Sequence, residues 1–151
     1  MSTPTVIAHR GFSAIAPENT LPAMQFAVDS GAEMVEFDVR ITKDNQLVVI
    51  HDETVERTTN GKGLVSRHTL QELQTLDAGT WFSQTFSGTQ VPSLNEVLQL
   101  CSGSVYMNIE IKTDEQSIDA LDTFSRHSLR TRDRPRLIEG GCDFVLQHLH
   151  Y

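Results

Sequence analysis

Two histidines, three carboxylates and two basic side chains stand where strand-like segments would gather them. His9 closes the run Val6-Ile7-Ala8-His9, and His51 closes Leu47-Val48-Val49-Ile50-His51. Between them Met34 to Ile41 alternates, with Val35, Phe37, Val39 and Ile41 on one face and Glu36, Asp38 and Arg40 on the other. Val105 to Lys112 repeats the pattern, placing Tyr106, Asn108, Glu110 and Lys112 together. Two strands with acidic polar faces would repel unless a counter-charge lay between them, which points to a cation. Histidine titrates near neutrality and so can give and take protons. Singly, each acid reads as a salt bridge or a solvated face, and a lone histidine as a structural one. His68, His127, His148 and His150 stay in that class, whereas His9 and His51 each end a strand beside the acidic cluster.

The elements that must hold these residues follow from local signals. Asn19 or Thr20 can cap a helix in which Pro22 suits the first turn, Leu21, Met24 and Val28 recur at helical spacing, and Gly31 fits the end. The turn Lys43-Asp44-Asn45-Gln46 leads into the apolar run ending at His51. Residues 53–92 read as an insertion, polar apart from a short helical stretch, with Asn60-Gly61-Lys62-Gly63 as a turn and a capping-box spacing at Thr69 and Glu72. Ser93 and Glu96 form a second capping box, opening a helix that Gly103 stops. Strands separated by helical stretches predict a parallel sheet with right-handed crossovers. Trp81 and Phe82 read as packing under the long loop, with a place at a substrate entrance as the alternative.

Composition bounds the class. The chain has 151 residues, 38% of them hydrophobic, and a formal charge of −8, which argues against general nucleic-acid binding. The charge is uneven. Residues 126–151 carry five arginines (126, 130, 132, 134 and 136) against three acids, so the first 125 residues hold seven basic and seventeen acidic side chains. No basic patch followed by an apolar run opens the chain, and no stretch is long enough to span a bilayer, so the expectation is a soluble cytoplasmic protein without stable membrane insertion. Cys101 and Cys142 lie far apart and read as unpaired thiols of a reducing compartment.

The blocks Ile7-Ala8-His9-Arg10-Gly11, Pro17-Glu18-Asn19-Thr20, Glu36-Phe37-Asp38-Val39, His51-Asp52 and Asn108-Ile109-Glu110-Ile111-Lys112, in this order, resemble the glycerophosphodiester phosphodiesterases over about residues 6–113. The resemblance implies a TIM-type (β/α)8 barrel with its chemistry at the C-terminal strand ends. It makes Glu36, Asp38 and Glu110 metal ligands, His9 and His51 the acid and base, and Arg10 and Lys112 contacts to the substrate phosphate. Three hard oxygen ligands favour Mg²⁺ or Ca²⁺. An acidic body handling an anionic small-molecule substrate would need such a cation between them. The implied reaction is hydrolysis of a glycerophosphodiester to an alcohol and glycerol 3-phosphate.

Such a barrel takes about 250 residues, so the expectation here is an incomplete barrel of about four βα units over residues 1–125, interrupted by the 53–92 insertion. The arginine-rich residues 126–151 read as an atypical tail from a truncated or frame-shifted chain. Two alternatives follow from that shortfall and from the fold: a catalytically inactive fragment of such an enzyme, and a related barrel phospholipase. Exposed sheet edges also leave self-association open.

Overall fold

The computed structural model describes residues 6–112 and the backbone of residues 144–148. The arginine run and the histidines at 127 and 150 lie outside the described residues. The architecture is mixed α/β around one sheet, with strands β1 (Ile7–His9), β2 (Met34–Ile41), β3 (Leu47–Val49), β4 (Tyr106–Ile111) and β5 (Phe144–His148). Helices α1 (Leu21–Asp29), α2 (Leu70–Gln74) and α3 (Leu94–Cys101) lie between them in the chain. The sheet order is β1-β2-β4-β5, all parallel, with β3 paired to β2 alone.

One expectation needs correction. The run ending at His51 is not a strand of the parallel set, because β3 pairs antiparallel with β2, Val39 opposite Val49. Its link, Thr42 to Gln46, is closed by the Thr42 amide donating to the Gln46 carbonyl at 2.9 Å, with Asn45 in the left-handed region at φ 56°. So short a connection can only make a hairpin, since a parallel return needs a crossover of a dozen residues or more. A further strand lies after residue 125. Phe144–His148 forms β5, parallel to β4.

Packing explains the alternation in β2. Val35, Phe37 and Val39, all at 0% exposure, join Met107, Ile109 and Ile111 of β4 under Met24 and Ala27 of α1 and Leu94 and Val97 of α3. The other face of β2 is polar yet also buried, with Glu36 at 6% and Asp38 at 1% exposure. Charged groups are rarely buried without partners, so this face must serve a purpose other than solubility.

Local chemistry sets the helix ends. Thr20 caps α1 by accepting from the Ala23 amide, and Gly31 follows the C-cap at φ 72°. Thr69 and Ser93 each form the reciprocal capping box with Glu72 and Glu96 that their spacing predicts. The long segment between β3 and α3 is less polar inside than its composition suggests. Val48, Ile50, Val55, Val65, Leu73, Ala78 and Val91 build a second apolar cluster beneath it. Its far end returns to β3, where the Val49 amide donates to the Pro92 carbonyl at 2.9 Å. Trp81 is 41% exposed, donates from its indole Nε1 to the Ala78 carbonyl at 2.9 Å, and stacks edge-on with Phe82. Among the described residues, no helix is long and apolar enough to cross a membrane.

Candidate active site

Strand register builds the site. In the β1–β2 ladder His9 stands opposite Glu36, and in the β2–β4 ladder Glu36 stands opposite Asn108 and Asp38 opposite Glu110. In a parallel sheet opposite residues share a face, so one row carries His9, Glu36 and Asn108 and the next carries Asp38 and Glu110. One carboxylate oxygen from each of Glu36, Asp38 and Glu110 lies within 4.8 Å of the others. Glu36 Oε1 and Asn108 Oδ1 are buried without a hydrogen-bond donor, and Asp38 Oδ1 and Glu110 Oε1 are buried against the Lys112 ammonium. Buried acceptors are normally satisfied, and several turned to one point form the donor set of a hard cation.

The cations the chain itself supplies offset this charge only in part. Lys112 Nζ pairs with Glu110 and lies 3.4 Å from Asp38 Oδ1, while Arg10 Nε lies 3.3 Å from Asp38 Oδ2. Burial and the neighbouring Asp38 charge raise the Glu36 carboxyl above its ordinary value, against the Arg10 amide that donates to its Oε2 at 3.0 Å. Burial would lower the Lys112 ammonium, but its hydrogen bond to Glu110 and the charges of Asp38 and Glu110 outweigh that and raise it.

The loop after β1 is shaped to deliver these contacts. Arg10 and Gly11 both adopt positive φ, 57° and 76°, which turns the Arg10 amide to Glu36 Oε2 and the Gly11 amide to the Glu36 carbonyl. A Cβ on Gly11 would meet the Ala23 backbone at 2.7 Å, so only glycine fits there. Asn19, also at φ 57°, clamps Asp38 twice: its Nδ2 donates to Asp38 Oδ2 at 2.9 Å and its Oδ1 accepts from the Asp38 amide at 3.3 Å.

His9 and His51 are held differently. His9 Nε2 lies 3.7 Å from Glu36 Oε2, with its side chain 68% exposed. His51 follows β3, and its Nδ1 lies 2.7 Å from Asp52 Oδ1. Hydrogen bonds from Arg57 and His51 depress the Asp52 carboxyl to about 2 against a smaller opposing effect of burial. Arg40 anchors the backbone on both sides, donating to the carbonyls of His51 and Lys112, each at 2.8 Å. Its own pKa is lowered, because burial outweighs the nearby acidic charges.

All seven residues singled out in the sequence thus lie on β1, β2 and β4 or at the strand ends beside them. Against known sequences, the model of the glycerophosphoryl diester phosphodiesterase family matches residues 9–136. The chain belongs to that family. The match extends past residue 113, where the sequence resemblance was read to end, and into the arginine-rich run.

Among curated family members, the glycerophosphodiester phosphodiesterase of Caldanaerobacter subterraneus subsp. tengcongensis is 52% identical over 109 residues, covering 72% of this chain and 45% of that protein. The Bacillus altitudinis glycerophosphodiester phosphodiesterase is 47% identical over 109 residues, covering 71% and 44%. The chain therefore spans less than half the length of these relatives. Among solved structures, the Agrobacterium tumefaciens glycerophosphodiester phosphodiesterase superposes with a TM-score of 0.82 at 36% identity, over 98% of this chain and 59% of that one. An Oleispira antarctica phosphodiesterase, solved with the product sn-glycerol-3-phosphate, gives 0.83 at 34% identity, over 98% and 58%.

Sequence reasoning left out Asn19, Glu18, Asp52, Arg40 and Arg57. Asn19 was legible as a helix cap and, like Glu18 and Asp52, as a member of a motif block, with no role in the site attached. Arg57 carried no signal in the segment between β3 and α3.

Proposed function

We propose that this chain carries the metal and acid–base site of a glycerophosphodiester phosphodiesterase, in the N-terminal part of an incomplete (β/α)8 barrel into which residues 53–92 are inserted. The observation that carries this reading is the convergence of three carboxylates, whose buried oxygens Lys112 and Arg10 satisfy only in part, between two histidine-bearing strand ends. Glu36, Asp38 and Glu110 would hold a divalent cation, and the hardness of their oxygens favours Mg²⁺ or Ca²⁺. When bound, such an ion supplies Lewis-acid polarisation of the phosphoryl oxygens.

The chain's own residues account for the rest. Arg10 and Lys112 each keep a positive charge beside the triad, suited to the non-bridging oxygens of a phosphodiester. One histidine takes the proton of the substrate's neighbouring glycerol hydroxyl as its oxygen bonds to phosphorus. The other protonates the departing alcohol oxygen as the ester P–O bond breaks, leaving a cyclic phosphate. Water then opens the ring to glycerol 3-phosphate, and the two histidines exchange roles.

The test is turnover of glycerophosphocholine by His9→Ala and His51→Ala. Each variant is expected to lose about 10²-fold or more in rate, the ordinary contribution of a general acid or base, while cation binding by calorimetry stays intact. Near-normal turnover in either variant contradicts its assignment.

A further inference from the structure

Arg57 lies in the insertion, outside every motif block, and touches neither the triad nor a histidine ring. Its guanidinium donates to Glu18 through Nη1 at 3.0 Å and Nη2 at 2.8 Å, and to Asp52 through Nε at 2.6 Å and Nη2 at 3.0 Å. Four charge-assisted bonds from one planar fork reach carboxylates on two separate segments. Glu18 belongs to the loop before α1 and Asp52 follows His51. The side chain is 45% exposed, and exposed ion pairs add little to stability. A doubly bidentate arginine does fix the geometry of what it binds.

Both of its partners lead into the site. Glu18 Oε1 also accepts from Arg10 Nη1 at 2.8 Å, and Arg10 lies against Asp38. Asp52 Oδ1 lies 2.7 Å from His51 Nδ1. An ionised Asp52 only accepts, so this bond requires the proton on Nδ1 and leaves Nε2 as the ring's working nitrogen. The result is a continuous chain, Arg10–Glu18–Arg57–Asp52–His51, that joins the two strand ends along the rim.

We propose that Arg57 is a positioning residue, which fixes Asp52 against His51 Nδ1 and so sets the tautomer and orientation of the His51 ring. This rests on the acid–base role of His51 argued above. The charged groups bearing on His51 are Asp52 at the ring, Arg57 behind it, Glu18 beyond Arg57, and Arg40 at the His51 carbonyl. Arg40 in turn feels Asp38, Asp52 and Glu53. Without the Arg57 fork, Asp52 is free to turn from the ring, and Nδ1 loses the acceptor that holds its proton there.

The experiment reads the His51 tautomer from its ring ¹⁵N shifts by NMR in the full chain, with glycerophosphocholine turnover measured alongside. Arg57→Gln keeps donors but neither the charge nor the fork, and is expected to give a mixture of Nδ1–H and Nε2–H forms and to cut kcat by about 10-fold to 100-fold with KM little changed. Arg57→Lys keeps the charge without the fork, and is expected to recover part of kcat. A His51 ring still held wholly in the Nδ1–H form in a folded Arg57→Gln chain, or wild-type kcat in that variant, overturns the clamp. Normal turnover in His51→Ala overturns instead the acid–base role on which the clamp depends, so the two failures are told apart.

Discussion

Asp38 and Glu110 are cross-strand partners in the parallel β2–β4 ladder, and their register brings two negative charges onto one buried face. Glu36, two residues before Asp38, completes the set. Lys112 and Arg10 approach this trio without donating to all of its oxygens. Such an arrangement is poorly balanced without a further cation and well balanced with one.

Cation binding should therefore be visible as stability. Adding Mg²⁺ or Ca²⁺ at a hundredfold excess over its Kd should stabilise the chain by about 2.7 kcal/mol, read as a rise in Tm. Asp38→Asn removes one ligand and should abolish most of that rise. An equal rise in the variant would contradict the assigned ligands.

Gly11 holds the loop that aims the Arg10 amide at Glu36. Gly11→Ala would force a Cβ to within 2.7 Å of the Ala23 backbone at φ 76°. The expected cost is about 1–3 kcal/mol in urea denaturation, from strain and local overpacking. A variant as stable as the wild type would show that the loop can relax, and that its observed shape is not obligatory.

Cys101 lies at 0% exposure in the main core, and burial pushes its thiol up to about 11. The neutral thiol is thus favoured in the folded state relative to the unfolded chain, where cysteine titrates near 8.5. Its contribution is fully present below that value and is lost as pH rises towards about 11. Stability of the wild type relative to Cys101→Ala, followed by denaturation across alkaline pH, should fall over that window. A pH-independent difference would contradict the assigned burial effect.

How far the sequence spoke depended on whether a signal was local. The alternation of Met34 to Ile41 exposed the two faces of β2 because strand side chains have period two, and the spacings at Thr69–Glu72 and Ser93–Glu96 exposed helix starts because capping is a contact over three residues. The apolar run at Leu47 misled because a buried hairpin arm and a buried parallel strand have the same composition; only the short Thr42–Gln46 link separates them. β5 was hidden because Phe144–His148 is brief and stands after a dense arginine run. The cluster under the segment between β3 and α3 has no period, since Val55, Val65, Leu73 and Val91 come from separate turns. The site residues were legible as motif blocks, but their supports were not. Asn19 reaches Asp38 across 19 positions and Arg57 reaches Glu18 across 39, and neither separation leaves a pattern in the chain.

The most direct test of the proposed cation-dependent hydrolysis is release of glycerol 3-phosphate from glycerophosphocholine by the purified chain, measured as prepared, after chelation, and after Mg²⁺ or Ca²⁺ is restored. The expected result is hydrolysis that chelation abolishes and the added cation returns. Hydrolysis indifferent to chelation, or no hydrolysis with the cation bound, would contradict it.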